Sequence, residues 1–207
     1  MTRSLIVSCS LKPSKNEALL EAVKKFSECT VIQFGDLHVG YQVGKDIDAV
    51  VISGSEARIV NSSHRGMFAG TVNLIKHFNL PVFSICYGHQ LLCWSLGARV
   101  ASLPEPAIDR FEKVRIVEVD EIFAGFEKYQ TIPLAQSHYD YVLRESLDQA
   151  GLVLLADSYS CEVEAVKHKR NPFYGVQFHP ERIDIKGQSH LEGYKVIENF
   201  YRNVVKR

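Results

Sequence analysis

The chain has 207 residues, sets 24 Lys and Arg against 24 Asp and Glu, and is 46% hydrophobic. That length predicts a single domain over residues 1–207 with room for a core, and the lack of a field of one sign argues against nucleic acid or an anionic membrane as partner. Five scattered cysteines with no C-x-x-C pair argue against a disulfide frame or a structural metal site and for reduced thiols in a cytoplasmic protein; no apolar run is long enough for a signal peptide or a membrane span.

Leu5-Ile6-Val7 reads as a first strand. Ser14 is placed to cap a helix over residues 15–27, with Leu19, Leu20, Val23 and Phe26 as its apolar stripe. A second strand covers residues 30–34, residues 35–47 are loop-like, and the continuous apolar run of residues 48–52 is a strand ending in Ser53-Gly54-Ser55. A helix over residues 65–78 leads to another apolar run from Pro81. Apolar strands alternating with amphipathic helices predict an α/β fold: an open, mostly parallel twisted sheet with helices on both faces. In such sheets the chemistry sits beyond the carboxyl ends of the strands, where both Ser53-Gly54-Ser55 and Cys86 fall. The second half is richer in β-structure, with strands predicted at residues 114–119, 152–156, 161–166 and 173–178, a small antiparallel addition, and a closing helix over residues 189–205.

The most informative stretch is Pro81 to Gly97, PVFSICYGHQLLCWSLG. It reads as strand, sharp turn and helix, with Cys86 at the apex, the thiol counterpart of a nucleophile elbow. Such a turn needs small residues two positions to either side, and Ser84 and Gly88 are small. A helix starting behind the turn aims its N-terminal N–H groups at the sulfur, a field that favours a thiolate. The alternative is a packed cysteine at the end of a buried strand.

A cysteine nucleophile needs a base, and the base needs a group that holds its tautomer. His179 lies just past a predicted strand with Glu181 two residues on, on the same side of an extended segment. His138 in Ala135-Gln136-Ser137-His138-Tyr139-Asp140 has Asp140 at the same spacing and is the rival base, or part of a polar turn lining a pocket. His89, at the start of the elbow helix, faces solvent or a partner on this reading and is assigned no chemistry.

Ser84-Ile85-Cys86-Tyr87-Gly88-His89-Gln90 resembles the G-x-C-x-G-x-Q signature of class I glutamine amidotransferases, and Gly175-Val176-Gln177-Phe178-His179-Pro180-Glu181 matches that family's second signature. The run CEVEAVKHKRNPFYGVQFHPE from Cys161 is similar to the glutaminase subunit of two-subunit GMP synthases, and residues 135–142 look like the family's glutamine-binding loop. The resemblance covers roughly residues 45–205. It implies a flavodoxin-like open sheet and a triad in which Cys86 is the nucleophile, His179 the base and then acid, and Glu181 its orienter. It also implies an oxyanion hole from the N–H groups of Tyr87 and Ser55, and glutamine contacts from Gly54, Gln90, Ser137, His138 and Tyr139. The implied reaction is hydrolysis of L-glutamine to glutamate and ammonia. The ammonia would pass to a separate ATP-dependent synthetase, the first candidate being one that converts XMP to GMP. No cofactor or metal is expected in this chain, which has no G-x-x-x-x-G-K-[ST] loop; ATP and Mg are expected on the partner. The surface expected to face that partner includes Tyr87, His89 and the residues after Glu181.

Three positions depart from the family pattern. Ser84 stands where Gly is usual, Gly54-Ser55-Glu56 replaces a Gly-Gly-Pro type of loop, and Ser8-Cys9-Ser10-Leu11 replaces a Gly-Gly-Gln type of turn. If the Ser55 peptide must take a positive φ to point inward, serine carries a strain that glycine would not. Two other readings keep the same residues: a stand-alone γ-glutamyl hydrolase with this triad, and a catalytically silent regulatory relative.

Overall fold

A computed structural model describes residues 2–12 and 16–205. The first half alternates strand and helix. β1 (Arg3–Ser8), α1 (Glu17–Lys24), β2 (Glu28–Gln33) and β3 (Ala49–Ile52) are followed by α2 (Ser62–Met67), α3 (Ala69–His77), β4 (Val82–Ile85) and α4 (Tyr87–Ser95). The second half holds β5 (Val100–Ile116), β6 (Thr131–Val142), β7 (Leu152–Asp157), β8 (Ala165–His168) and β9 (Phe173–Val176). It ends with the short strands β10 (Asp184–Ile185) and β11 (Gln188–Ser189), then α5 (Glu192–Asn199), which runs on into a π-helical segment over Phe200–Val205.

Nine strands form one sheet in the order β2-β1-β3-β4-β9-β8-β7-β5-β6, and β10 pairs with β11 separately. From β2 to β9 all neighbours are parallel; from β9 onward every pairing is antiparallel. The antiparallel addition is thus four strands wide and continuous with the parallel core. Within that core the period-2 geometry of a strand sorts neighbouring residues onto opposite faces. Ile6, Val51, Phe83 and Ile85 pack with α1, α5 and the π-helical segment through Leu19, Val23, Ile197 and Phe200. Leu5, Val7, Val50, Ile52 and Val82 pack with α3 and α4 through Leu74, Ile75, Leu91 and Leu92. Covering on both faces is why these strands read as unbroken apolar runs.

Several boundaries differ from expectation. The Ser14 cap lies outside the described residues. The single helix expected over residues 65–78 is two helices broken at Phe68, whose ring is driven into the core against Phe34 and Tyr87; Asn61 caps the first, its Oδ1 accepting from Ser63 N at 2.9 Å. The strand expected from Cys161 starts at Ala165, because residues 158–164 turn back on themselves, Ser158 N donating to Cys161 O at 2.8 Å. Residues 135–142, expected as a loop, lie within β6, and of the strand expected at residues 114–119 only 114–116 are strand, as the end of the much longer β5. The closing helix starts at Glu192, since Ser189 is paired in β11.

Candidate active site

The carboxyl ends of four neighbouring parallel strands, β1, β3, β4 and β9, open on one cavity of about 720 Å³. At the end of β4 the chain reverses at Cys86, with φ 53 and ψ −110, a left-handed backbone that a non-glycine residue holds only under constraint. The constraint is visible on both sides. Cys86 N donates to Val176 O at 2.8 Å, and Gln90 N donates back to Cys86 O at 3.0 Å as α4 begins. Gly88 is required by the tight approach of α4 to β3: a Cβ there would lie 2.6 Å from Ile52 O. Ser84, at the other small position, is fully buried and its Oγ has no partner.

At the end of β9, His179 is fixed through its backbone, N donating to Ala135 O at 2.8 Å. Its Nδ1 meets Glu181 Oε1 at 2.7 Å, which places the proton on Nδ1 and leaves Nε2 for the cavity. Gly54 lets the His179 and Cys86 side chains approach the loop after β3, since a Cβ at that position would lie 3.1 Å from His179 Cε1 and 3.9 Å from Cys86 Sγ. Burial alone would push the His179 pKa down; the Glu181 carboxylate, then the Cys86 sulfur, outweigh it and push it up to about 10. The proton therefore sits on the imidazole at neutral pH.

His138 is different. Its Nδ1 bonds the backbone carbonyl of Asp140 at 3.0 Å, and burial pushes its pKa down to about 4, so it is neutral. The Asp140 carboxylate, expected as its companion, is instead held by Arg58, with Nε at 2.9 Å and Nη2 at 2.5 Å, and by Ser102 Oγ at 3.0 Å. His89 also departs from expectation: it is fully buried, its Nδ1 3.7 Å from Cys93 Sγ, and burial pushes its pKa down to about 3. Neither it nor Tyr87, which is 1% exposed, can face a partner.

Every residue assigned a role from the sequence lines the one cavity: Cys86, His179 and Glu181, Tyr87 and Ser55, and Gly54, Gln90, Ser137, His138 and Tyr139. Ser137 O lies 3.7 Å from the Cys86 sulfur. Gln90 lies beneath the wall, its Nε2 donating to Asp140 O at 2.7 Å and Gln177 Oε1 at 3.0 Å. Ser55 has no positive φ, and its Oγ accepts from Ala57 N at 3.0 Å in a short turn. The cavity also holds residues that sequence reasoning missed. Arg58 stacks over Tyr139 at 5.0 Å, and Arg182 pairs with Asp109 at 2.9 Å at the rim. Asp109 follows a register shift in β5, which bends that strand over the opening. No local pattern marks either arginine, because its partner is distant in sequence.

The model of the class-I glutamine amidotransferase family matches residues 12–204. The chain belongs to that family. Among curated relatives of this amidotransferase, the glutamine-hydrolyzing GMP synthase subunit of Methanothermobacter thermautotrophicus is 37% identical over 63% of this chain and 64% of its own length. The protein of the same name from Sulfolobus acidocaldarius is 33% identical over 76% of this chain and 77% of its own. Among solved structures, a candidate GMP synthase subunit from Thermoplasma acidophilum superposes with a TM-score of 0.79 at 21% identity, covering 97% of this chain and 94% of that one. A glutamine amidotransferase from Thermotoga maritima gives 0.71 at 16%, covering 87% and 77%. Both structures share the fold of this chain.

Proposed function

We propose that this amidotransferase is a glutaminase that hydrolyses L-glutamine to glutamate and ammonia through a Cys86 thioester. The observation that carries the reading is the convergence of a strained, cavity-lining Cys86 with an imidazole whose other nitrogen is held at 2.7 Å by Glu181. The Cys86 thiolate attacks the side-chain carbonyl carbon of glutamine. The N–H groups of Tyr87, in the first turn of α4 where backbone donors lack intrahelical partners, and of Ser55 stabilise the oxyanion. His179 protonates the departing ammonia, then takes a proton from the water that cleaves the thioester. Geometry favours His179 over His138 as the base, because only His179 has a carboxylate on its second nitrogen. Gly54 and the wall of Ser137, His138 and Tyr139 hold the amino-acid end of glutamine, with Gln90 bracing that wall from behind.

The relatives named as glutamine-hydrolyzing GMP synthase subunits point to a separate synthetase that receives the ammonia and supplies ATP and Mg, with XMP as the first acceptor to test. No helix among the described residues is long and apolar enough to cross a membrane, and the cysteines are free, in keeping with work in the cytoplasm. The partner would dock on the cavity rim, where Ile108 and Tyr139 are exposed. The test is glutamate release by the isolated chain, and then with the synthetase, ATP, Mg and XMP present. A large rise on adding the partner is expected. Full activity alone, with a preference for γ-glutamyl peptides over glutamine, would overturn the assignment.

A further inference from the structure

Behind the glutamine wall lies a second group of chemically capable side chains, separate from Cys86, His179 and Glu181. His138 on β6, with Cys161 and Glu164 on the turn joining β7 to β8, bring one ring nitrogen, one sulfur and one carboxylate oxygen within 4.8 Å of one another, all three residues buried. The atoms without a partner there are all acceptors. His138 Nδ1 faces the Asp140 carbonyl and must carry the proton, so Nε2 is a bare lone pair, and it has no partner. Glu164 Oε1 is taken by Ser158 Oγ at 2.7 Å and Gln136 Nε2 at 2.9 Å, while Oε2 has none. Gln136 Oε1 is a further buried acceptor without a partner. The one donor among these groups is the Cys161 thiol, which is turned to Val163 O at 3.3 Å; buried acceptors left without a donor of their own are costly, and a cation that displaces the thiol proton is the group that would satisfy them together.

We propose that His138, Cys161 and Glu164 form a binding site for a zinc-type divalent cation. The donor set of imidazole, thiolate and carboxylate suits Zn²⁺, and the site would be charge-neutral once Cys161 had lost its proton to the metal. The Asp140 carbonyl on His138 Nδ1 supplies the outer contact that metal-binding histidines use to fix their tautomer. Tetrahedral zinc places its ligand atoms roughly 3.3–3.7 Å apart given bonds of about 2.0–2.3 Å, so binding would draw the three inward. The ion would tie edge strand β6 to the β7–β8 turn and hold rigid the segment that presents Ser137 O to Cys86 and Tyr139 to the cavity. Metal chemistry at this place is no part of the hydrolysis, and the site stands whether or not the glutaminase reading does.

The test is the metal content of the full chain, purified without chelator or histidine tag, measured by mass spectrometry. About one zinc per chain is expected, or uptake of one Co²⁺ with a sulfur-to-cobalt charge-transfer band in the near ultraviolet. Cys161→Ser should abolish that band and the stoichiometric metal, and Glu164→Gln should weaken binding by roughly tenfold or more. Cys86→Ala should keep both. If Cys161→Ser fails to fold, Glu164→Gln decides, since it is isosteric. A chain that carries no zinc and takes up no cobalt overturns the proposal. So does metal that leaves with Cys86→Ala and stays in Glu164→Gln.

Discussion

The two halves of the sheet divide the work of the site differently. On the proposed mechanism the parallel half supplies the reacting groups: Cys86 at the end of β4 and His179 at the end of β9, two strands that are hydrogen-bonded neighbours. The antiparallel half supplies the wall they face, from Ser137 to Asp140 on β6, with β5 bent over the opening. The first half holds its groups by backbone constraint, a positive φ at Cys86 and a bond from His179 N to Ala135 O. The second holds its groups by side-chain bonds from far along the chain, such as Arg58 on Asp140 and Gln90 on the Asp140 carbonyl. Substitutions in the first half should therefore act on turnover, and in the second on binding.

The largest effect should follow Cys86→Ala, with kcat falling by on the order of 10⁵-fold or more while the circular dichroism spectrum stays that of the parent. His179→Ala should come close to it, since in the proposed mechanism acylation and ammonia departure share the proton of that imidazole. Labelling by a glutamine-like alkylating agent should fall on Cys86; Cys93 and Cys161 are buried, and burial raises the pKa of both thiols. Substantial turnover by the Cys86 variant would break the division at once.

Glu181→Gln should cost roughly one to two orders of magnitude less than loss of the nucleophile, because it orients without exchanging the proton. Its signature is the pH profile. The His179 pKa stands raised from 6.5 to about 10, with burial opposing and Glu181 the first of the raising causes. A raised folded-state pKa means that the proton's contribution to stability is fully present below about 6.5 and lost as pH rises through about 10. The alkaline limb of kcat in the parent should lie in that upper region, and in Glu181→Gln it should move down. An unmoved limb would show that the carboxylate does not set the imidazole's charge.

The same contrast explains what could be read without a structure. The elbow was legible because strand, apex, small residue and helix are contiguous, and because strands buried on both faces are unbroken apolar runs. β5 was not. Of Val100–Ile116 most positions are half-buried or exposed, two prolines interrupt it, and its partners in β6 and β7 come from elsewhere in the chain. The break at Phe68 was equally hidden, since a helical period survives it and only the packing of Phe68 on Phe34 and Tyr87 reveals it. His89 was misplaced because a polar residue in a first helical turn reads as exposed, whereas α4 is buried from Tyr87 to Cys93. His138 and His179 had equivalent spacing to a carboxylate; Arg58, eighty-two residues from Asp140, made the difference.

Arg58→Ala sharpens the comparison from the binding side. It removes the clamp on an almost fully buried carboxylate and the cation stacked on Tyr139, so the wall loosens while Cys86, His179 and Glu181 keep their contacts. KM for glutamine should rise on the order of tenfold with kcat changed by less than about threefold. His138→Ala should behave likewise. A fall in kcat with KM unchanged, for either variant, would place the wall among the reacting groups.

The smallest effect should be that of Ser55→Gly. Ser55 stands where the family pattern has glycine, and a glycine there would be required if the N–H that meets the oxyanion could point inward only from a left-handed backbone. Ser55 does not adopt that backbone, and its loop is tied down: Ser53 Oγ accepts from Cys9 N at 2.9 Å and donates to Gly54 O at 2.9 Å, and Ser55 Oγ accepts from Ala57 N at 3.0 Å. Glycine at position 55 would lose one hydrogen bond, about 1 kcal/mol at most, and release a turn that is already in place. Turnover should change by less than about threefold, whether the chain is assayed alone or with the proposed synthetase partner added. A tenfold gain in the isolated chain would mean instead that the working loop is left-handed, that serine holds it back, and that docking of the partner is what turns the Ser55 N–H toward the substrate.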